Sequence, residues 1–234
     1  MSARAPLQPG WLIASHPYSD SSLLLEVFTR EQGRIGLVAR GARGPKSRLR
    51  GVLQVFTPLL LSWSGRGELA TLTAAEAQAP PVLLTGERIF YGWYVNELLG
   101  RLLLRHDAHI ALFDLYAALL PALVGDEIEA QGALRLFEKY LLAEIGYGLR
   151  LPTSLDPQLR YRYDWESGPQ PDREGYAGTS LIALRDDRLD AAGALADARR
   201  LLQAALRRQL GDRPLETPRL LRSLRGLDAG ASDA

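Results

Sequence analysis

The first 80 residues of the chain carry short apolar runs with alternating or flanking polar positions, a pattern typical of β-strands. Turn-like clusters rich in Gly, Pro, Ser and Asp separate these runs. Five strands are predicted, at residues 11–16, 21–29, 34–40, 52–63 and 68–76. Short strands at this regular spacing indicate a small closed or nearly closed β-barrel. Because proline has no N–H to donate within a sheet, Pro58 in the fourth run predicts an edge position or a bulge.

After residue 80 the spacing of apolar residues changes from two to about 3.6, which is the period of an α-helix. Thr85, Asp107 and Asp126 are each able to cap the start of a helix. Helices are predicted over 85–105, from 107 to a kink or end near Pro121, from 126 to the glycines at 146 and 148, and over 194–210 and 218–227. Residues 150–176 are rich in Pro, Gly, Asp and aromatics, and are expected to form a long irregular connection.

These patterns predict an α+β protein in which an N-terminal barrel is followed by an α-helical domain. The commonest small barrel of this kind is the oligonucleotide-binding (OB) fold. The predicted divisions are an OB-fold nucleic-acid-binding domain at residues 1–80, a helical domain at 81–149, and an irregular connection with C-terminal helices packed on the helical domain at 150–234.

The formal net charge of the chain is only +1, but the charges are unevenly distributed. Most cations of the first third lie between Arg30 and Arg66, where the stretch ARGARGPKSRLRG mixes them with Gly, Pro and Ser. Such a composition favours an exposed loop over a packed helix face. Since the guanidinium group offers several donors to phosphate oxygens, nucleic-acid binding is predicted. The predicted binding residues are Arg34, Arg40, Arg43, Lys46, Arg48, Arg50 and Arg66.

A solvated loop in an arginine-rich protein is the alternative interpretation, because Lys46 and Lys139 are the only lysines of the chain. Aromatic side chains near the loop could serve as stacking platforms for bases. Tyr18 lies in a polar turn and is the best candidate for exposure. Phe28 and Phe56 lie within apolar runs and are expected in the barrel core.

Two further arginine patterns lie in the last third of the chain. Arg160 and Arg162 alternate with tyrosines at strand period, which predicts either a solvated strand edge or a second nucleic-acid surface. On the helix at 194–210 the leucines are expected to face inward, with Arg199, Arg200, Arg207 and Arg208 on or beside the opposite face. That basic face is either solvated or a socket for an acidic peptide or DNA.

Few residues are arranged for catalysis. The chain has no cysteine, which excludes disulfides and thiolate metal sites, and it contains neither a Walker-type phosphate loop nor a GxSxG motif. The remaining candidate is HDAH, in which His106 and His109 flank Asp107, but Asp107 is already predicted to cap a helix. Neither an enzyme nor a metal or other cofactor is predicted. A metal-dependent enzyme built around HDAH is the competing interpretation.

The sequence also bears on location. It contains no run of about 18 uncharged apolar residues, so no membrane span is predicted. The N-terminal stretch MSARAPLQPGW lacks the apolar region of a signal peptide, and a cytoplasmic protein is expected.

Taken in order, several segments resemble the RecO family of bacterial DNA repair and recombination mediators. They are PYSDSSLLLEVFTREQGRIGLVARGAR, VLQVFTPLLLSWSGRGEL and EAQ, followed by YGWYVNELLGRLL, LFEKYLLAEIGYG, YRYDWESG and LGDRPLETPRLLR. The resemblance extends from Trp11 to about Leu224 and is most specific in the N-terminal half.

The resemblance implies an N-terminal OB-fold, a central helical domain and a C-terminal portion packed on it. It implies a non-enzymatic, nucleoid-associated protein that binds single- and double-stranded DNA and anneals complementary strands. It also implies that the protein works with RecR and the single-strand binding (SSB) protein to load the RecA recombinase. For the acidic C-terminal tail of SSB, the candidate cations are Arg199, Arg200, Arg207 and Arg208, with Arg135 and Lys139 as a second choice.

Many members of that family hold a zinc-binding set of four cysteines in the region that here reads RLPTSLDPQLRYRY. The chain has no cysteine and so resembles the metal-free branch, for which no zinc is predicted. Packing of Tyr161, Tyr163 and Trp165 is expected to hold the connection instead. The main alternative function is that of an OB-fold RNA-binding or translation-associated protein.

Overall fold

The computed structural model describes residues 6–65 and 67–231. They form two compact units. The first contains the described residues of Met1–Leu120 and Leu215–Ala234, and the second contains Pro121–Pro214. The predicted fold class is confirmed, because an N-terminal β-barrel is followed by a largely helical region.

The barrel is closed and has five strands in the order β1-β2-β3-β5-β4. Their bounds are β1 Gln8–Tyr18, β2 Ser22–Thr29, β3 Gly33–Ala39, β4 Pro58–Ser64 and β5 Leu69–Ala77. β1 pairs with β4 to close the barrel, and β3 pairs with β5 in parallel, while the other pairs are antiparallel. This arrangement is an OB-fold barrel, as the spacing of the five apolar runs predicted.

The barrel encloses an apolar core built from alternate strand positions. Leu25, Val27, Ile35 and Leu37 are almost completely buried there, as expected when one face of each pleated strand points inward. Burial of each such side chain contributes about 1.5–3 kcal/mol. Phe28 and Phe56 are also buried, but neither belongs to this barrel core, so their predicted position inside the barrel is wrong. Phe28 alternates with the inward-facing Val27 and packs on the outer side of β2 against the rings of Phe113 and Tyr116.

The fourth predicted strand is wrong at its start. Residues 52–57 are not a strand, because Val52 ends a short helix, α1 Leu49–Val52, and residues 53–57 connect that helix to β4. β4 begins at Pro58, which pairs with Trp11 inside a closed barrel and therefore lies neither on an edge strand nor at a bulge. Proline is tolerated at the first residue of a strand because its missing N–H is not needed there. The register shift of β4 lies between Ser62 and Trp63.

Three helices accompany the barrel in the first unit: α2 Arg88–Leu102, α3 Ile110–Ala122, which continues across the unit boundary, and α7 Glu216–Ala231. The predicted cap at Thr85 is wrong, since α2 begins three residues later without a side-chain cap. The Glu97 carboxylate on α2 accepts hydrogen bonds from the backbone N–H groups of Glu216 (2.7 Å) and Thr217 (2.9 Å). A side chain of α2 thus satisfies the first turn of the C-terminal helix. No helix in the described parts of the chain is long and apolar enough to cross a bilayer.

The second unit contains three helices that pack together and a small antiparallel sheet. The helices are α4 Glu127–Glu144, α5 Gly178–Arg185 and α6 Ala192–Leu210, and the strands, in the order β7-β6-β8, are β6 Arg160–Asp164, β7 Gly168–Asp172 and β8 Tyr176–Ala177. Asp126 caps α4 as predicted, accepting from the Glu129 N–H at 2.8 Å. The prediction of an irregular connection over 150–176 is wrong, because most of the sheet lies there.

Two tyrosine hydroxyls on β6 bind the loop that precedes this strand. Tyr161 is buried and its hydroxyl accepts from the Asp156 N–H at 2.8 Å, while the Tyr163 hydroxyl accepts from the Arg150 N–H at 2.8 Å. Each bond ties a loop residue before β6 to the strand itself. The sequence prediction that tyrosine packing holds this region agrees with these contacts.

Candidate nucleic-acid interface

Residues 40–50, which we call the basic loop, follow β3 and include the first two residues of α1. Gly41 has a φ of +66°, a conformation that favours glycine, and it turns the chain away from β3. Ala42 is completely buried in the barrel core, and the Arg43 N–H donates to the Ser21 carbonyl at 2.8 Å. Successive turn hydrogen bonds then lead to Leu49, which packs against the same core. The loop is therefore anchored to the barrel at both ends.

The cations of the basic loop point outward from this anchored backbone. Arg40, Arg43, Lys46, Arg48 and Arg50 are all exposed. Within the described residues, no ion pair joins any of these five side chains to a carboxylate. Arg43 makes one polar side-chain contact, from Nη1 to the Ser19 carbonyl at 3.3 Å. Five exposed cations without acidic partners are suited to phosphate oxygens.

Tyr18 stands beside this loop. It is exposed at the end of β1 and directly precedes Ser19, whose carbonyl receives Arg43. Its expected exposure is therefore confirmed, and an aromatic ring lies next to the cations. A ring in this place can stack on an unpaired base while the arginines contact the backbone.

Arg34 is not part of this cationic group. It lies near the start of β3, six residues and about 20 Å of extended strand before Arg40. Its guanidinium donates to the Glu26 carboxylate at 3.2 Å and to the Leu103 carbonyl at 3.1 Å. The side chains of Arg34 and Glu26 are only 18% and 14% exposed. The structure thus places Arg34 in an internal ion pair instead of among the loop cations.

Arg105 completes that ion-pair group. It follows α2, contacts the same Glu26 carboxylate, and donates to the Glu68 carbonyl at 3.1 Å. We call Glu26, Arg34 and Arg105 the Glu26 cluster. Sequence reasoning missed Arg105, because nothing local to it indicates a contact with a strand 79 residues earlier. Arg66, also predicted to bind nucleic acid, lies outside the described residues.

The HDAH segment packs against the turn between β2 and β3. A Cβ at Gly33, whose φ is +63°, would lie 1.7 Å from the Asp107 carbonyl oxygen, so the two backbones approach as closely as glycine allows. The His106 N–H donates to the Arg34 carbonyl at 3.0 Å, and His109 is buried. Among the residues that the structure describes, no group of three His, Cys, Asp or Glu could hold a metal ion.

Of the four arginines predicted on the basic face of α6, two contact other side chains of the second unit and two are exposed. The inward face of α6 is buried as expected, at Leu201, Leu202, Ala205 and Leu206. Arg200 donates to the Asp197 carboxylate at 3.0 Å and lies 4.4 Å from the ring centroid of Tyr176. Arg208 lies 5.1 Å from the ring centroid of Trp165. Arg199 and Arg207 are exposed. Only part of the predicted group thus forms an open basic face.

The second-choice cations are occupied inside the second unit. Arg135 and Glu138 form a buried ion pair on α4, with 2.9 Å between Nη2 and Oε1. Lys139 donates to the Leu184 carbonyl at 2.8 Å and to the Asp187 carboxylate at 2.6 Å. A lysine held at the end of α5 satisfies carbonyls that have no partner within the helix. Both side chains therefore stabilise the fold.

Comparison with known proteins agrees with this architecture. A family model described as "Recombination protein O N terminal" matches residues 5–81, and one described as "Recombination protein O C terminal" matches residues 83–155. The curated "DNA repair protein RecO" of Nitrosococcus oceani is 46% identical, with 96% of each chain covered. That of Alkalilimnicola ehrlichii is 42% identical over 99% of this chain and 96% of its own. That of Coxiella burnetii is 40% identical over 94% of this chain and all of its own. With both models matched and these identities over nearly the full length, the chain belongs to the Recombination protein O (RecO) family.

Proposed function

We propose that this chain is a recombination mediator of DNA repair that binds single- and double-stranded DNA through the basic loop. It anneals complementary strands and, together with RecR, helps to load RecA onto SSB-coated DNA. The observation that carries the DNA-binding part is the set of five exposed loop cations, which are anchored on an OB-fold barrel and have no carboxylate partner among the residues that the structure describes. Membership of a family whose relatives are named DNA repair proteins supports the role.

The chemistry of the loop explains which kind of DNA binding to expect. Arginine and lysine side chains on a glycine-containing loop can adjust to phosphates of either a single strand or a duplex. Phosphate contacts carry no sequence information, so binding is weakly sequence-dependent and falls steeply as salt rises. The same cations reduce the repulsion between two phosphate backbones, which is the electrostatic barrier to annealing.

The proposed role is binding and not catalysis. Phosphoryl-transfer enzymes of nucleic acids hold metal ions with several converging carboxylates. The Glu26 carboxylate on β2 is already shared between Arg34 and Arg105. The basic loop itself contains no acidic residue.

Contacts with protein partners form the second part of the proposal. The acidic tail of SSB requires fixed cations beside an apolar surface. Arg199 and Arg207 are exposed on α6 and suit this contact, whereas Arg200 already pairs with Asp197. Contacts with RecR and the functional link to RecA are implied by the family and carry no residue assignment.

The test of DNA binding is the triple variant Arg40→Gln, Lys46→Gln and Arg48→Gln, which leaves the Arg43 anchor intact. Affinity for a 30-nucleotide strand and for a duplex should fall about tenfold or more, and the log–log salt slope should flatten by about two to three. The matched control removes three exposed cations elsewhere, by Arg173→Gln, Arg188→Gln and Arg219→Gln. An unchanged slope in the loop variant, or an equal loss in the control, would place the DNA site elsewhere.

Annealing is measured on complementary oligonucleotides coated with SSB. The wild-type protein should accelerate duplex formation and the loop variant should not. Equal affinity for structured RNA and DNA, with no annealing, would instead support an OB-fold RNA-binding or translation-associated protein.

A further inference from the structure

A pocket in the second unit lies between the end of α4, the β6–β7 turn and α6. Its volume is about 300 Å³, and its lining includes the side chains of Tyr147, Arg150, Tyr163, Trp165 and Arg208. Of the ten described residues that line it, two are arginines and none is acidic. It is thus a positively charged pocket with aromatic walls, distinct from the basic loop of the first unit.

The aromatic walls are held by rigid backbone. Trp165 stands in the turn between β6 and β7, where the Asp164 carboxylate accepts from the Ser167 N–H and hydroxyl, both at 2.8 Å, and from the Glu166 N–H at 3.1 Å. These bonds, led by that of the Ser167 N–H, lower the pKa of Asp164 and keep the turn anchored by a charged group. Tyr163 packs edge-on against Trp165, with 5.1 Å between ring centroids.

Tyr147 forms another part of the pocket wall, with a hydrogen-bonded backbone and an exposed side chain. Tyr147 follows α4, and its N–H donates to the Leu142 carbonyl at 2.7 Å. As whole residues, Tyr147 is nevertheless 57% exposed and Trp165 38% exposed. Large rings left exposed on an immobilised backbone lose little conformational entropy when a ligand covers them.

The two cations are placed at the rim of these rings. The Arg208 guanidinium lies 5.1 Å from the centroid of Trp165. The Arg150 backbone N–H donates to the Tyr163 hydroxyl, and its guanidinium donates to the Glu166 carbonyl. Burial raises the pKa of the Tyr163 phenol, so this hydroxyl stays protonated at neutral pH. The pocket therefore combines flat apolar surface with fixed positive charge and neutral hydroxyl groups.

We infer that this pocket binds an unpaired nucleotide of single-stranded DNA, with the base against Tyr147 and Trp165 and the phosphate beside Arg208 and Arg150. Base–aromatic stacking and arginine–phosphate contact are the two interactions by which proteins hold single strands without regard to sequence. The charge of the pocket is complementary to a phosphate, and its volume lies at the lower end of ligand pockets, which suits one base and excludes a duplex.

A base fits this lining better than the apolar end of an acidic peptide does. Five of the ten described lining residues are tyrosine, tryptophan or arginine, and only Leu149 and Ala205 among the ten have aliphatic side chains. A nucleobase offers both a flat face and a polar edge to such walls, whereas an aliphatic side chain would leave the polar groups unpaired. The inference deepens the proposed function and rests on it, because it gives the protein a second contact for single strands.

The test uses the full-length variants Tyr147→Ala, Trp165→Leu and their combination. Affinity of the double variant for a thymidine 25-mer should fall about fivefold or more, while affinity for a blunt duplex should change less than about twofold. The matched control is Trp93→Leu in the first unit, because Trp93 is 39% exposed, close to the value for Trp165. Arg208→Gln should also weaken single-strand binding and reduce the salt slope by about one, whereas the exposed Arg188→Gln should not.

Photocrosslinking to the wild-type protein gives a readout that does not depend on the folding of a variant. An oligonucleotide carrying 5-iodouracil should form adducts at Tyr147 or Trp165. Unchanged single-strand affinity of the double variant, or adducts confined to the first unit, would overturn the inference while the proposed function stands. Loss of binding to an acidic, phenylalanine-ended peptide with single-strand binding unchanged would assign the pocket to a peptide. Failure of the wild-type protein to bind any DNA would overturn both proposals.

Discussion

The basic loop and the Glu26 cluster both contain arginines that lie on or against the barrel, but these arginines differ in exposure and in ion pairing. In the loop the cations are exposed and have no carboxylate partner within the described residues. In the cluster, Arg34 and Arg105 share one carboxylate that is only 14% exposed. The difference shows that an arginine's contribution depends on the acid within its reach and not on its place in a basic stretch of sequence.

The register of the barrel explains the difference. Glu26 on β2 lies opposite Gly36 on β3, and Arg34 is therefore its diagonal neighbour two residues away. Diagonal pairs on one face of an antiparallel ladder are within reach of long side chains. The loop cations follow the last paired residue of β3, Ala39, and the neighbouring residues on the β2 side, Ser21 and Ser22, are not acidic. The hairpin itself thus removes Arg34 from the group available to DNA.

The largest expected effect is that of Glu26→Ala. It leaves two largely buried guanidinium groups without their shared carboxylate, and the free energy of unfolding should fall by about 2 kcal/mol. Denaturant unfolding measures this loss, and the exposed Glu31→Ala serves as the matched control with a change within about 0.5 kcal/mol. A tighter binding to DNA with unchanged stability would show instead that Arg34 and Arg105 belong to the DNA surface.

A smaller effect is expected on α6, where the same comparison can be made on one helix. Replacing the exposed Arg199 and Arg207 with Glu should weaken binding of an acidic tail peptide with an apolar end by about tenfold. Loss of each exposed positive charge should reduce the binding free energy by about 0.5–1 kcal/mol, and reversal of that charge should reduce it further. Neutralising Arg200, which is already paired with Asp197, should change peptide affinity little. Peptide binding is measured by fluorescence anisotropy. Equal effects at Arg199 and Arg200 would contradict the distinction between paired and unpaired arginines.

The smallest effect concerns Asp186, which two arginines contact on the surface of the second unit. Hydrogen bonds from Arg185 and then Arg188 lower the pKa of Asp186 from 3.8 to about 2. Because this pKa is lower in the folded chain than in the unfolded chain, the contacts stabilise the fold above about pH 4, and that contribution is lost as the pH falls through about 2. NMR titration of the carboxyl group should show the low value in the wild type and a higher one in Arg188→Gln. An unchanged value would mean that Arg185 alone sets it.

The barrel was predictable from the sequence because its strands are regular and local. Five apolar runs separated by turn signals predict the five strands, whereas Phe28 and Phe56, predicted inside the barrel, are buried outside the cluster that fills it. The cap at Asp126 was equally local, since a side-chain oxygen meets a backbone N–H three residues ahead. The exposed loop cations followed from the Gly, Pro and Ser among them.

Features that depend on distant contacts were not predictable in this way. The sheet of β6, β7 and β8 has short strands, and β7 contains two prolines, which weaken a strand pattern. The pairing of Arg34 could have been inferred from the tight turn after Thr29, which fixes the hairpin register. The contribution of Arg105 could not, because it depends on how the end of α2 packs on the barrel.

The bond between Glu97 and the start of α7 has a consequence for the order in which the protein is made. The first unit takes its last helix from residues that follow the whole second unit in the chain. At about 5–20 residues per second, a ribosome that has finished the barrel and α2 needs several seconds or more to reach Glu216. During that interval the Glu97 carboxylate and the surface of α2 that α7 covers face solvent. Until Glu216 has been synthesised, the barrel and α2 must therefore hold their shape without α7.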